Sequence, residues 1–345
     1  MPASRARHPD KAIIMRSLAL TTLSLACTFS GQAADLSTRV PPAQREIAAH
    51  RTAKEAAACV AAQPFYWEVG NVERTLASGQ SGAQAPGAQT GLALASASKW
   101  LYGAYVAEQR QGKLSNEDVQ FLSFQSGYTR FRFCLPRQTV GECQASLLNG
   151  RGRIDTQAEG LFDYSGGHMQ KHATLIGLGA LNKDELAAAI KRGLHLGPGW
   201  ALSYSQAQLA GGGVSTATDY ARFLRATLKG DLQMGALLGS HAVCANPQTC
   251  PKEAIKTPIP LSETWHYSVG HWVEDDPKVG DGAFSSPGAF GFYPWIDASK
   301  TFYGIVARED RSGLRSDEPD QKPAVQSVDC GRLIRAAWLS GQPQP

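Results

Sequence analysis

Apolar and polar positions along the chain switch between helical and strand periods in a definite order. Residues 43–62 are rich in Ala, Glu, Arg and Lys, a helix-forming composition that ends just before Pro64. Phe65, Tyr66, Trp67 and Val69 make the next stretch strand-like, and residues 75–90, rich in Gly, Ser, Ala and Gln, read as a loop. Residues 100–109 return to a helical pattern, Gly112 stops it, and another helix opens near Ser115. The clearest helix spans 182–194, with Asn182 as cap, Glu185 three positions on, and Leu186, Ala189 and Ile190 sharing one face. A further helix past Asp219 has Tyr220, Phe223, Leu224 and Leu228 as its apolar positions. Residues 265–274, 291–297 and 301–308 are rich in aromatic and β-branched side chains and read as strands, with 297–300 as a hairpin turn. A helix over 326–339 closes the chain.

This order predicts an α+β fold. An antiparallel sheet is built from both ends of the chain and flanked by N- and C-terminal helices, with a mainly helical region inserted between them. The expected organisation is an extension and leader over 1–34 and one domain over 35–345. Its α/β part covers about 43–99 and 260–340, and its helical part about 100–259.

The leader follows from Met15-Arg16, an apolar run over 17–29, and small residues at Gly31, Ala33 and Ala34. A charged start, an apolar centre and a small-residue exit form a secretory signal peptide, with cleavage expected after Ala33 or Ala34. Translation from Met1 and from Met15 both remain open. The run is too short for a permanent membrane span. Lipidation of Cys27 also stays open, although Ser24 stands where a lipobox normally has Leu. The expected location is periplasmic or secreted. Setting Cys27 aside leaves six of the seven cysteines, an even number suited to an oxidising compartment. Cys134 and Cys143 flank one short loop, and Cys244 and Cys250 another, so local pairing is the simplest connectivity. Cys59 and Cys330 then remain to staple the terminal helices. No C-x-x-C pair or histidine spacing supports a metal site, and no cofactor is expected. A formal charge of +4, without a block of basic residues interleaved with aromatics, argues against nucleic acid as a partner.

The chemistry centres on Ser96 and Lys99. Positions three apart on a helix share a face, so a hydroxyl and an amine would meet one turn apart. A serine needs a base to become a nucleophile, and a lysine becomes one when burial lowers its pKa. Taken alone, the pair also fits a helix-capping serine and a solvated lysine. Downstream stretches carry the interpretation further. Ser96-Ala97-Ser98-Lys99-Trp100 resembles the S-x-x-K nucleophile motif of the serine β-lactamase and DD-peptidase superfamily. Residues 112–119 and 122–127 resemble its "G-x-L-x-L-D-D-x-V" and "L-L-T-H-T-S-G" stretches, 162–167 its "F-x-Y-S-N", and 212–219 its "G-G-L-x-S-T-A-x-D". The matches, in the family's order between residues 63 and 308, are nearest the branch of class C enzymes and family VIII-like esterases.

The resemblance implies Ser96 as acylated nucleophile, Lys99 as its partner and Tyr164 as a second base whose phenol ionises below its usual pKa. It implies an oxyanion hole from the backbone N–H groups of Ser96 and Ala289, the latter on a strand edge. Two family positions differ. Gly166 stands where relatives carry an Asn that holds substrate. Ser286-Pro287-Gly288 stands at the third motif without its Lys or His, with Ser285-Ser286-Pro287 as the other alignment. Gly288 would let substrate approach the strand closely. Residues 166, 286 and 288 are therefore the expected substrate contacts, and neutral esters should be turned over better than matched carboxylate-bearing ones. His168 and His195 read as surface or packing residues. Trp200, Trp272 and Trp295 fit an acyl pocket or the core equally well. The expected activity is hydrolysis of a small-molecule ester or amide through a Ser96 acyl-enzyme, an esterase being favoured, with β-lactamase or D-alanyl peptidase activity as the alternative. An idle penicillin-recognising fold that binds cell-wall fragments is the non-enzymatic rival.

Overall fold

The computed structural model describes residues 40–312 and 321–345, so the expected leader over 1–34 lies outside the described residues. The first helical stretch forms two helices, α1 (Pro42–Glu55) and α2 (Ala57–Ala62), because Ala56 is extended between them. A hairpin follows, of β1 (Phe65–Asn71) and β2 (Thr75–Ser81). Half of the expected 75–90 loop is therefore a strand. Ladder pairing with β1 and burial of Ala77 and Ser81 override a Gly- and Ser-rich sequence. After β3 (Leu92–Ala93), a 3₁₀ turn over Ala95–Ala97 runs into α3 (Ser98–Gln109), buried throughout from Ser98 to Ala107.

The middle of the chain contains α4 (Asn116–Leu122), α5 (Val140–Gln144), β4 (Phe162–Asp163), α6 (Gly167–Leu175) and α7 (Lys183–Leu194). It continues with β5 (Leu202–Tyr204), β6 (Gly213–Ser215), α8 (Ala217–Lys229) and α9 (Met234–Leu237). Capping boxes from Ser115, Thr139 and Asn182 start α4, α5 and α7, each cap side chain and its N3 carboxylate bonding the other's backbone N–H. The last third holds β7 (Val243–Cys244), β8 (Ala254–Lys256), β9 (His266–Tyr267), β10 (Trp272–Glu274), β11 (Ala283–Ser285), β12 (Tyr293–Ile296), β13 (Phe302–Ala307) and α10 (Pro323–Ser340). The stretch 265–274 is thus two strands. Gly270, with φ 87°, turns the chain between them and packs on α3, where an added Cβ would lie 2.7 Å from the Lys99 carbonyl.

Among the described residues eight strands form one sheet in the order β2-β1-β13-β12-β11-β10-β9-β7, and the paired registers are antiparallel. Strand alternation sends Phe302 and Tyr293 toward Trp338 and Arg335 of α10, and Tyr303 toward Arg225 of α8. Disulfides join Cys59 to Cys330, Cys134 to Cys143 and Cys244 to Cys250. The first ties α2 to α10. Among the described residues no helix is long and apolar enough to cross a membrane, and no cluster of His, Cys, Asp and Glu could hold a metal ion.

Candidate active site

The Ser96 turn is held from several sides. The Leu94 N–H donates to Gly213 O at 2.8 Å, the Gly213 N–H to Ser98 Oγ at 3.1 Å, and the Tyr220 hydroxyl to Ala97 O at 2.9 Å. Ala95, immediately before Ser96, has φ 44°, a left-handed conformation that a non-glycine residue adopts only when its surroundings impose it. Lys99, one turn on, is buried. Its Nζ lies 2.8 Å from Ser96 Oγ and 2.7 Å from Ala210 O, and 4.8 Å from the centre of the Tyr164 ring. Among the described residues no carboxylate compensates the burial, which lowers the Lys99 pKa to about 7.

Tyr164 follows β4, stacked on Trp272 with ring centroids 5.3 Å apart. Burial pushes its phenol up to about 12, against the lowering effect of hydrogen bonds with the Ser96 and Trp272 side chains. The sequence-based expectation of a depressed phenol pKa does not hold, because Tyr164 sits among aromatic rings. His168 is fully buried on α6. Its Nδ1 lies 2.7 Å from Ser126 Oγ and its Nε2 3.0 Å from Asp163 O. Burial drives its pKa down to about 3, so the ring is neutral. Asp163 O can only accept, which puts the ring proton on Nε2 and braces the backbone next to Tyr164. His195 is exposed at the end of α7.

Ser286 is buried, and its hydroxyl donates to Ser96 O at 3.0 Å. It braces the Ser96 backbone. At Gly288 an added Cβ would lie 2.2 Å from Leu94 O, so this glycine is required by the packing of the Ser96 turn against the β11–β12 connection. That differs from the expected role in substrate approach. Ala289 lies in a turn rather than on a strand edge, because Gly288 and Gly291 close the loop with bonds to Phe292 O and Gly288 O. Among the described residues, the backbone N–H groups of Ser96 and Ala289 donate to no protein acceptor. A Cβ at Gly166 would meet the Phe131 ring at 2.9 Å and Ala210 Cβ at 3.3 Å. Phe131 thus fills the space that a side chain at 166 would need.

Ser96, Tyr164, Pro287 and Ala289 open onto a cavity of about 280 Å³, walled by Pro258, Ile259, Pro260, Trp265, Trp272, Val325 and Val328. Of the three tryptophans considered from sequence, only Trp272 lines it. Trp200 is buried and bonded to Asp219 O, and Trp295 packs on Gly304 and beneath Arg335. Ser285 is buried in β11 and does not line the cavity. Three lining residues had no local sequence signal: Trp265, Ile259 and Lys322, the residue before α10. Lys322 has no carboxylate partner among the described residues. Glu263 also lines the cavity but is bonded to Arg332 at 2.7 Å and to the Trp265 indole at 2.8 Å.

Several solved structures share this architecture. A putative β-lactamase from Bacteroides dorei matches with TM-score 0.55 at 20% identity, over 79% of this chain and 93% of that one. D-amino acid amidase from Ochrobactrum anthropi matches with TM-score 0.57 at 13% identity, over 80% and 96%. The chain has the serine β-lactamase/DD-peptidase fold. EstCE1, a hydrolase with promiscuous acyltransferase activity, shares this fold with TM-score 0.54 at 14% identity, over 85% and 99%. No protein-family model and no curated protein sequence matches the chain, so the likeness rests on the β-lactamase/DD-peptidase fold itself.

Proposed function

We propose that the protein is an exported serine hydrolase that cleaves carboxylic esters with an apolar acyl group through an acyl-enzyme on Ser96. The observation that carries this reading is Lys99, a buried amine 2.8 Å from Ser96 Oγ with no carboxylate to hold its proton. At neutral pH roughly half of it is the free base, poised for general-base work. Neutral Lys99 takes the Ser96 proton as Oγ attacks the ester carbonyl. The tetrahedral oxyanion is held by the Ser96 and Ala289 N–H groups, which have no other acceptor. As the C–O bond breaks, the proton passes from the Lys99 ammonium to the leaving alkoxide. Tyr164, a neutral phenol, donates a hydrogen bond along that path and is not the ionised base. Water then attacks the acyl carbonyl as Lys99 takes its proton, and Lys99 passes that proton to Ser96 Oγ as the Oγ–acyl bond breaks and the carboxylic acid leaves.

The ester preference rests on what the polar positions offer. Phe131 blocks a side chain at 166, and the Ser286 hydroxyl is committed to the Ser96 backbone, so neither position grips an amide or a carboxylate. The apolar walls suit the acyl chain. Lys322 favours a second reading, in which a peptide or lactam carboxylate reaches a cation across the cavity. The leader sequence and the disulfides support a periplasmic or secreted location. The test is labelling with a fluorophosphonate probe, with mapping of the modified peptide, beside a screen of p-nitrophenyl esters, nitrocefin and D-alanyl peptides. Stoichiometric labelling of Ser96 with turnover of esters is the expected result. No labelling of Ser96 would leave a binding module instead.

A further inference from the structure

Residues 128–154 carry Arg130, Arg132, Arg137, Arg151 and Arg153 against one acidic residue, Glu142. All five arginines are exposed, and none has an ion-pair partner among the described residues. Glu142 is occupied by the Thr139 N–H in the α5 capping box. The same segment exposes Phe133 (43%), Leu135 (46%), Leu147 (75%) and Ile154 (41%), four of the eleven exposed large apolar residues of the described chain.

This surface is built rather than incidental. The Cys134–Cys143 disulfide closes one arm of the segment. The buried Asn149 side chain accepts from the Arg132 N–H at 2.8 Å and donates to Phe133 O and Cys143 O at 3.2 and 2.8 Å. Gly150, Arg151 and Gly152 follow in the left-handed region, with φ 65°, 57° and 63°. The missing Cβ of Gly150 lets Arg130 lie alongside, 2.8 Å from where that atom would be. The clamp therefore gathers residues from both arms on one surface. None of these residues lines the cavity at Ser96.

We propose that this segment docks the protein on an anionic phospholipid bilayer. Guanidinium groups pair bidentately with lipid phosphates, while the exposed apolar side chains enter the interfacial layer. Charge complementarity requires an anionic partner, and Leu135, Leu147 and Ile154 favour lipid over nucleic acid, because aliphatic side chains do not stack on bases. Phe131, from the same segment, packs inward on Gly166, so the docked surface and the active site share one loop.

The experiment is co-sedimentation of the mature protein with vesicles of phosphatidylcholine alone, or of phosphatidylcholine and phosphatidylglycerol. Binding to the anionic vesicles should be at least about tenfold stronger and should collapse at about 0.5 M salt. The variant Arg130→Gln/Arg132→Gln/Arg153→Gln should lose most of that binding, and Phe133→Ser/Leu147→Ser should weaken it severalfold. Both should keep the wild-type melting temperature and hydrolysis of a soluble ester. A control, Lys191→Gln/Arg192→Gln on α7, should bind as wild type. Equal binding to both vesicle types, or full binding by the triple variant, would overturn the proposal. So would retention on heparin or an oligonucleotide without vesicle binding, which would assign the surface to a soluble polyanion.

Discussion

Lys99 and Arg335 are both cations buried in this domain, one at the start of α3 and the other on α10. Burial alone would lower both pKa values. Around Arg335, however, Tyr293, Glu274 and Asp281 outweigh burial and keep the guanidinium charged, with bonds of 3.0 Å to Glu274 and 2.6 Å to Asp281. Arg332 adds a 3.1 Å bond to the same Glu274, whose own burial is outweighed by the two arginines so that its carboxylate stays ionised. Lys99 meets only a hydroxyl, a carbonyl and an aromatic ring, and falls to about 7. A buried cation with countercharges is a strut between α10 and the sheet. Without them its pKa falls into the range that the proposed base needs. The missing carboxylate near Lys99 is therefore as much a part of the proposed mechanism as the amine.

Removing the proposed base tests this contrast most severely. Lys99→Met and Ser96→Ala should each reduce ester turnover by about a thousandfold or more, read in steady-state kinetics. Lys99→Met should also raise the melting temperature. The folded-state pKa of about 7 lies below the unfolded value near 10.4, so burying the ammonium costs stability in full below pH 7 and not at all above pH 10. The gain in melting temperature should accordingly shrink as pH rises through that window. A Lys99→Met variant less stable than wild type at pH 6 would contradict the uncompensated-burial argument.

The opposite arm breaks the strut. Glu274→Gln should cost about 3–5 kcal/mol in denaturant unfolding, because Arg332 and Arg335 lose a shared buried countercharge. Turnover well below the melting point should persist, since Glu274 does not line the Ser96 cavity. Replacing Cys59 and Cys330 with alanine should cost about 2–4 kcal/mol, because their bridge closes a loop of 271 residues. A smaller effect is expected in the pH profile. The apparent rate constant for acylation should fall about tenfold per unit below pH 7 and level off above it, tracking free Lys99. A plateau reached only above pH 10 would point to ionised Tyr164 instead. Smallest is the effect of Lys322→Gln, about tenfold or less in kcat/KM, confined to substrates with a carboxylate on the acyl side. Equal loss for neutral esters would mean that Lys322 serves packing.

The Ser96–Lys99 relation was legible because it is local, set by the pitch of one helix over three residues. So were the capping box at Asn182, read from side chains three positions apart, and the cysteine pairs, read from count and spacing. The α+β layout also followed from the switch of period along the chain. The β2 strand was missed because sheet pairing overrode its local composition.

What the tertiary structure alone decided are the quantities that sum over distant residues. Tyr164 is held neutral by rings from two distant stretches, Phe124 from one and Tyr267 and Trp272 from the other. Phe131 occupies the space beside Gly166, the Leu94 carbonyl demands Gly288, and Lys322 reaches the cavity from the far end of the chain. Arg130-Phe131-Arg132-Phe133 is only a short run in sequence, and it becomes part of a basic surface when Asn149 and a disulfide bring a second arm beside it. The sequence by itself determined which groups could react and how neighbouring residues face one another. Desolvation and steric exclusion depend on every atom within several ångströms, and only folding brings those atoms together.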